Sequence, residues 1–170
     1  MRKFIIVLAC SLAILSGCVS FDYSSYEKDR AALPGAAEIL PDVELLERVA
    51  DTRYNHKTKR EALIFVTETM AVQLDMTPEM YAAEKARLLA ASSFQTVPPK
   101  DGFGHISIDE TEVTVYGYDF RLLSTPSSSY PKVFGFIGFD DSNCSIAWLY
   151  CNDPDRDYVE SEAFITEFFF

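Results

Sequence analysis

Residues 132–151 read Lys132-Val133-Phe134-Gly135-Phe136-Ile137-Gly138-Phe139-Asp140-Asp141-Ser142-Asn143-Cys144-Ser145-Ile146-Ala147-Trp148-Leu149-Tyr150-Cys151. Two apolar runs, Lys132–Phe139 and Cys144–Cys151, flank four residues whose short side chains bond their own backbone. That is the composition of a tight reversal between two strands, so the stretch predicts an antiparallel hairpin. Working upstream, Glu112–Leu123 reads as one long strand with Gly117 as a candidate bulge, and His105–Asp109 as a short one. Pro98-Pro99 and Asp101-Gly102 mark the loop before them.

Helical signals lie on either side of this strand-rich half. Thr77-Pro78-Glu79 combines a capping residue, a proline at the first helical position and an acid in the first turn. It predicts a helix to about Ser92 with Tyr81, Ala82, Ala86, Leu88 and Leu89 inward. Asp42 and Glu44 open a helix to about Ala50, with Val43, Leu46, Val49 and Ala50 on one face. Between the two, Thr58–Met76 fits two templates. Thr58 and Glu61 offer a capping box, but a helix would leave Ile64 or Phe65 facing water. The alternation from Met70 to Leu74 favours a β-hairpin turning near Glu68-Thr69. Ser161 and Glu162 precede Phe164, Ile165, Phe168 and Phe169, the pattern of a short amphipathic helix. Together the elements predict an α+β fold, a largely antiparallel sheet with a few packed helices in a single domain, with no internal repeat.

Composition bounds the function. The chain has 170 residues, 48% of them apolar, enough to bury a core without a disulfide scaffold. Thirteen Phe, nine Tyr and one Trp argue against disorder. Lys and Arg number 15 against 26 Asp and Glu, a formal charge of −11. Without Arg2 and Lys3 the balance is 13 against 26, or −13. Such acidity argues against binding nucleic acid by phosphate neutralisation and against a polybasic membrane-surface binder.

The N-terminus carries the most specific signal. Met1-Arg2-Lys3 is a short positive head, followed by the apolar run Phe4–Leu15 and then Ser16-Gly17-Cys18. Twelve helical residues reach only about 18 Å, short of a bilayer core of ~30 Å, so the segment reads as a cleaved leader and not as an anchor. Leu15-Ser16-Gly17-Cys18 resembles the lipobox of bacterial lipoproteins. That resemblance implies a diacylglyceryl thioether on Cys18, cleavage before it, and an extracytoplasmic, membrane-anchored product. Val19, where an Asp would retain such proteins at the inner membrane, favours the outer membrane in a cell with two. Two buried acyl chains suffice for stable anchoring, where one is marginal. The domain reading is a signal peptide over 1–17, a lipidated N-terminus and tether over 18–36, and a globular domain over 37–170. Pro34-Gly35 suits a tether, which would span roughly 21–25 Å. Phe21, Tyr23 and Tyr26 are unusual for a spacer and are expected to dock on the domain.

No catalytic constellation is legible. Cys144 and Cys151, placed at the two ends of one strand, would stand about 23 Å apart at ~3.3 Å per residue, against the ~4.4–6.8 Å of a disulfide. They read as buried structural thiols. Asp153, Asp155 and Asp157 alternate as at the start of a calcium loop and are weak metal candidates. Tyr158 stands at the glycine position of that pattern and Phe164 at the closing glutamate. His56 and His105 show no ligand spacing, and His56 opens a basic run to Arg60 that reads as solvated surface. The nucleophile-elbow and phosphate-loop patterns are absent from the sequence. Carboxylate pairs can be drawn from Asp109, Glu110, Glu112, Asp140 and Asp141, but in so acidic a chain the choice is nearly free. The even spacing of Phe164, Phe168 and Phe170 suggests a barrel terminus, but Glu162 and Thr166 spoil the apolar face.

Beyond residue 18 the chain resembles small bacterial lipoproteins in general, a resemblance that transfers no catalytic residue. The expectation is a non-enzymatic, membrane-anchored envelope interaction module with a protein partner of the envelope and no nucleic acid. The alternative is an extracytoplasmic ligand- or cation-binding lipoprotein. No cofactor is expected other than the covalent lipid on Cys18. A hydrolase of envelope polymers has no motif behind it.

Overall fold

The computed structural model describes residues 21–49, 51–61, 65–98, 106–123, 132–152 and 158–169. In chain order its helices are α1 (Tyr23–Ala32), α2 (Ala36–Ile39), α3 (Val43–Glu47), α4 (Pro78–Ala91) and α5 (Ser161–Phe168). Its strands are β1 (Asp51–Glu61), β2 (Phe65–Asp75), β3 (Ser107–Ile108), β4 (Glu112–Val115), β5 (Tyr118–Leu122), β6 (Val133–Asp140), β7 (Ser145–Asn152) and β8 (Tyr158–Val159). Six strands form one antiparallel sheet in the order β1-β2-β7-β6-β5-β4, and β3 pairs with β8 in a separate parallel ribbon. The fold is α+β, as expected.

The hairpin of β6 and β7 lies at the centre of the sheet, and every residue of both strands is buried. Their apolar runs do not alternate because helices cover the sheet on both faces. Met70, Val72, Leu74, Ile146, Trp148 and Tyr150 pack under α1 to α4 with Tyr26, Leu46, Tyr81 and Leu88. On the opposite face Ala71, Phe120, Phe134, Phe136, Ala147 and Leu149 meet Phe164, Ile165, Phe168 and Phe169 of α5 and its C-terminal end. Each such large side chain contributes about 1.5–3 kcal/mol of transfer free energy. The four-residue turn ends in Cys144 at φ +53°, a left-handed position, so Cys144 belongs to the turn and not to the strand. Cys151 is buried within β7, and both cysteines are free thiols.

Several expectations need correction. The sheet's first hairpin reverses between Glu61 and Phe65, not at Glu68-Thr69. The basic run His56–Arg60 is therefore the body of β1, an edge strand; charged side chains discourage edge-to-edge pairing there. Glu112–Leu123 is not one strand with a bulge. Tyr116 (φ +53°) and Gly117 (φ +85°) form a two-residue hairpin turn between β4 and β5, whose right-handed twist such turns match. In the segment assigned to a tether, residues 21–36 belong to the folded body. Tyr26 of α1 has no solvent exposure and its hydroxyl donates to the Pro41 carbonyl at 2.5 Å. Phe21 and Tyr23 pack on the same cluster, so the aromatic anchors decide the outcome over the polar composition around them.

Two of the capping signals hold, while the capping box of Thr58 and Glu61 falls within β1. Asp42 accepts from Leu45 N at 2.8 Å and Thr77 Oγ1 from Met80 N at 3.3 Å. α3 ends at Glu47 and buries Leu45 and Leu46, while Val43 and Val49 are half-buried. Along α4 only Tyr81 and Leu88 are buried, and Ala82, Ala86 and Leu89 face solvent. An i, i+7 contact line means that α4 touches the sheet along a narrow stripe. β3 is shorter than expected, and Ala50, Pro99–Gly102 and His105 lie outside the described residues.

Candidate functional site

Register places a row of polar residues across one end of the sheet on the α5 side. Asp75 of β2 and Asp140 of β6 both pair with Ser145 of β7. The register of β5 continues the row to Tyr118, and the adjoining row begins with Arg53 opposite Gln73. α5 stops short of this end, where Phe169 packs edge-on against Tyr118 at 5.4 Å and Phe120 at 5.2 Å. Beyond Phe169 the polar rows form the lining of a cleft of about 660 Å³, with Tyr116 and Asn143 from the two hairpin turns at its rim. That volume lies within the range of small-molecule sites.

The lining is fixed by a directed set of hydrogen bonds. Ser145 Oγ bonds the Leu74 carbonyl at 3.2 Å, and a carbonyl only accepts, so the serine proton goes there. The Tyr118 hydroxyl, 2.7 Å from Ser145 Oγ, is then the donor of that pair and keeps its own lone pairs for an incoming donor. Burial pushes the Tyr118 phenol up, which keeps it protonated in this role. Asp140 holds the neighbouring turn: Oδ1 accepts from Ser142 N and Asn143 N, and Oδ2 from Asn143 Nδ2 at 2.7 Å. Gln73 Nε2 donates to Asp75 Oδ1 at 3.1 Å, and Asp75 Oδ2 takes no hydrogen bond among the described residues. Arg53 lies 4.0 Å from Asp51 with most of its side chain exposed.

Tyr116 is the anomaly of the site. It is 61% exposed, yet its backbone is left-handed at a turn position that Asn, Asp and Gly ordinarily occupy. A bulky residue there costs roughly 1–2 kcal/mol. Strain of this kind, carried by an exposed ring on a cleft rim, points to use of the ring.

Among the residues singled out from the sequence, Asp140 lines the cleft. Cys18, Asp153, Asp155, Asp157 and His105 lie outside the described residues. His56 Nδ1 is 3.1 Å from Asp29 Oδ2, tying β1 to α1 on the face opposite the cleft. Three of the candidate carboxylates have structural tasks. Asp140 holds its turn, Asp141 meets Lys85 Nζ and the Tyr81 hydroxyl, and Asp109 Oδ1 caps α5 through Ser161 N at 2.8 Å. Burial raises the Asp109 carboxyl, but the bonds from Ser161 and Glu110 outweigh it and hold the group below the usual carboxylate range. Glu110 and Glu112 line a second, more acidic depression with Asp119, Arg121 and Glu162. A third groove, under α1 to α4, is floored by Trp148. Among the described residues no cluster of three metal-ligating side chains occurs, and no helix is long and apolar enough to cross a membrane.

Apart from Asp140, the residues of the cleft were missed in the sequence because five separate strands contribute to it. One signal was available: Tyr116-Gly117 between the alternating Val113, Val115, Tyr118 and Phe120 is a two-residue hairpin pattern. No protein family, curated protein or solved structure matches this chain.

Proposed function

We propose that this chain is a non-enzymatic, lipid-anchored binding module of a bacterial envelope, presenting the cleft between Arg53, Asp75, Tyr116 and Tyr118 to a ligand outside the cytoplasm. The observation that carries the binding reading is the strained, exposed Tyr116 on the rim of a polar cleft whose hydrogen bonds are already oriented. Its support for the anchor is the Leu15–Cys18 sequence. The Ser145 hydroxyl serves the Leu74 carbonyl, and His56 is on the other face, which favours binding over nucleophilic chemistry.

Two measurements test it. Cys18→Ala should abolish labelling by radioactive palmitate and release the chain from membranes; retention of the label contradicts the anchor. A thermal-unfolding panel of sugars, amines, peptides and cell-wall fragments should contain a stabilising ligand, worth about 2.7 kcal/mol at 100 times its dissociation constant. A flat panel contradicts the ligand reading.

A second reading, in which the partner is an envelope protein, has β1 in its favour. No strand among the described residues pairs with the outer edge of this eleven-residue strand. Its basic side chains suit an acidic segment added as a further strand.

A further inference from the structure

We propose that the ligand of the cleft is a neutral carbohydrate, a sugar ring or short glycan; the inference rests on the reading of the cleft as a binding site. Charge is the first argument. An anion would meet the carboxylates of Asp75 and Asp140, and a simple cation would meet the Arg53 guanidinium. Three neutral donors from the turn already engage the Asp140 carboxylate, and Arg53 lies 4.0 Å from Asp51 beside Asp75, so the cleft presents charges of both signs. A neutral ligand avoids both repulsions.

Hydrogen-bonding capacity is the second argument. The cleft mixes acceptors with donors. Tyr118 Oη and Asp75 Oδ2 accept, Arg53 donates, and the side-chain amides of Gln73 and Asn143 each keep an oxygen and one N–H after their bond to a carboxylate. A hydroxyl group is both donor and acceptor, and adjacent hydroxyls of a sugar match the paired terminal atoms of Asp, Asn, Gln and Arg. Ligands that only donate, such as polyamines, or mainly accept, such as phosphate, would leave many of these groups unpaired.

The third argument is the aromatic rim. One face of a sugar ring is lined with C–H groups and is apolar enough to lie on an aromatic ring. Tyr116 offers such a ring, 61% exposed and held outward by a left-handed backbone. Charges of both signs, two-way hydrogen bonding and an exposed flat ring coincide at this cleft, and a hydroxyl-rich neutral ring suits all three.

The test is calorimetric titration of the full chain, purified in a detergent without a sugar head group, with cellotriose, maltotriose and tri-N-acetylchitotriose. Spermidine and inorganic phosphate are titrated in parallel. At least one trisaccharide should bind saturably, and neither charged probe should. Asp75→Asn and Tyr116→Ala should each weaken the sugar about tenfold or more, through one lost charge-assisted bond or the lost ring contact, with the unfolding midpoint of Asp75→Asn unchanged. Binding of spermidine alone, lost on Asp75→Asn, or of phosphate alone, strengthened by that substitution, overturns the carbohydrate inference and leaves the cleft a binding site. Sugar binding undiminished in both variants overturns it by placing the sugar elsewhere. Silence from every probe overturns both the inference and the ligand reading beneath it.

Discussion

The hydroxyls of Tyr118 and Ser145 meet at 2.7 Å although their strands are separated by β6, so the phenol reaches across Asp140 to complete a relay that ends on the Leu74 carbonyl. The relay is asymmetric, and the asymmetry is measurable. Tyr118→Phe removes one donor to a serine whose proton is already placed, and should cost about 1 kcal/mol. Ser145→Ala strips the Leu74 carbonyl of a donor and the buried Tyr118 hydroxyl of its acceptor, and should cost more, about 1–3 kcal/mol. Urea unfolding of the two variants gives the order; the reverse order contradicts the assigned direction.

Gly138 pairs with Phe120 across β6 and β5, and a Cβ at 138 would stand 2.7–2.9 Å from three carbons of the Phe120 ring. Phe120 has no solvent exposure and cannot move aside. Gly138→Ala should therefore destabilise by about 1–3 kcal/mol through overpacking, despite alanine's lower entropy cost. A variant as stable as the parent in denaturant titration would mean that the ring is not seated there.

The N-terminal segment is expected to be structural. Tyr26 is fully buried, its hydroxyl serves Pro41, and the Tyr150 hydroxyl donates to the Pro34 carbonyl at 2.7 Å. Tyr26→Ala should cost about 3–5 kcal/mol. A chain starting at residue 37 should lose cooperative unfolding by circular dichroism. A truncated chain with the parent's melting curve would restore the view of 18–36 as a tether.

Alkaline pH should unfold the protein. Burial raises the phenols of Tyr26, Tyr81 and Tyr150, and burial together with the hydrogen bond to Asp29 raises that of Tyr54. Their neutral forms are favoured in the folded state. The stability they confer is intact below the unfolded value near pH 10 and falls as pH rises beyond it, because the unfolded chain loses these protons first. Tyrosinate absorbance for this group should appear together with unfolding. Ionisation of all four near pH 10 with the fold intact would contradict the burial described.

What could be read from the sequence was what local chemistry decides. The reversal at 140–143, the Thr77-Pro78 helix start and the aromatic spacing of α5 each carry their cause within a few residues. β1 was hidden because, as a polar edge strand, it buries too little for an apolar pattern. α1 was hidden because Tyr26 is its one buried residue, flanked by polar ones. The cap of α5 comes from Asp109, across the chain, and the cleft is assembled from residues on five strands. Spacing along the chain does not encode such meetings; register does.

The account turns on Tyr116, where an exposed ring is kept at the expense of a relaxed backbone. The most direct measurement is a paired one on Tyr116→Asn: the unfolding free energy and the affinity for the trisaccharide that binds the parent chain. Asparagine tolerates the left-handed conformation, so the variant should be more stable by about 1 kcal/mol while its sugar affinity falls about tenfold or more. A variant that is less stable, or that binds the sugar as well as the parent, would contradict the account.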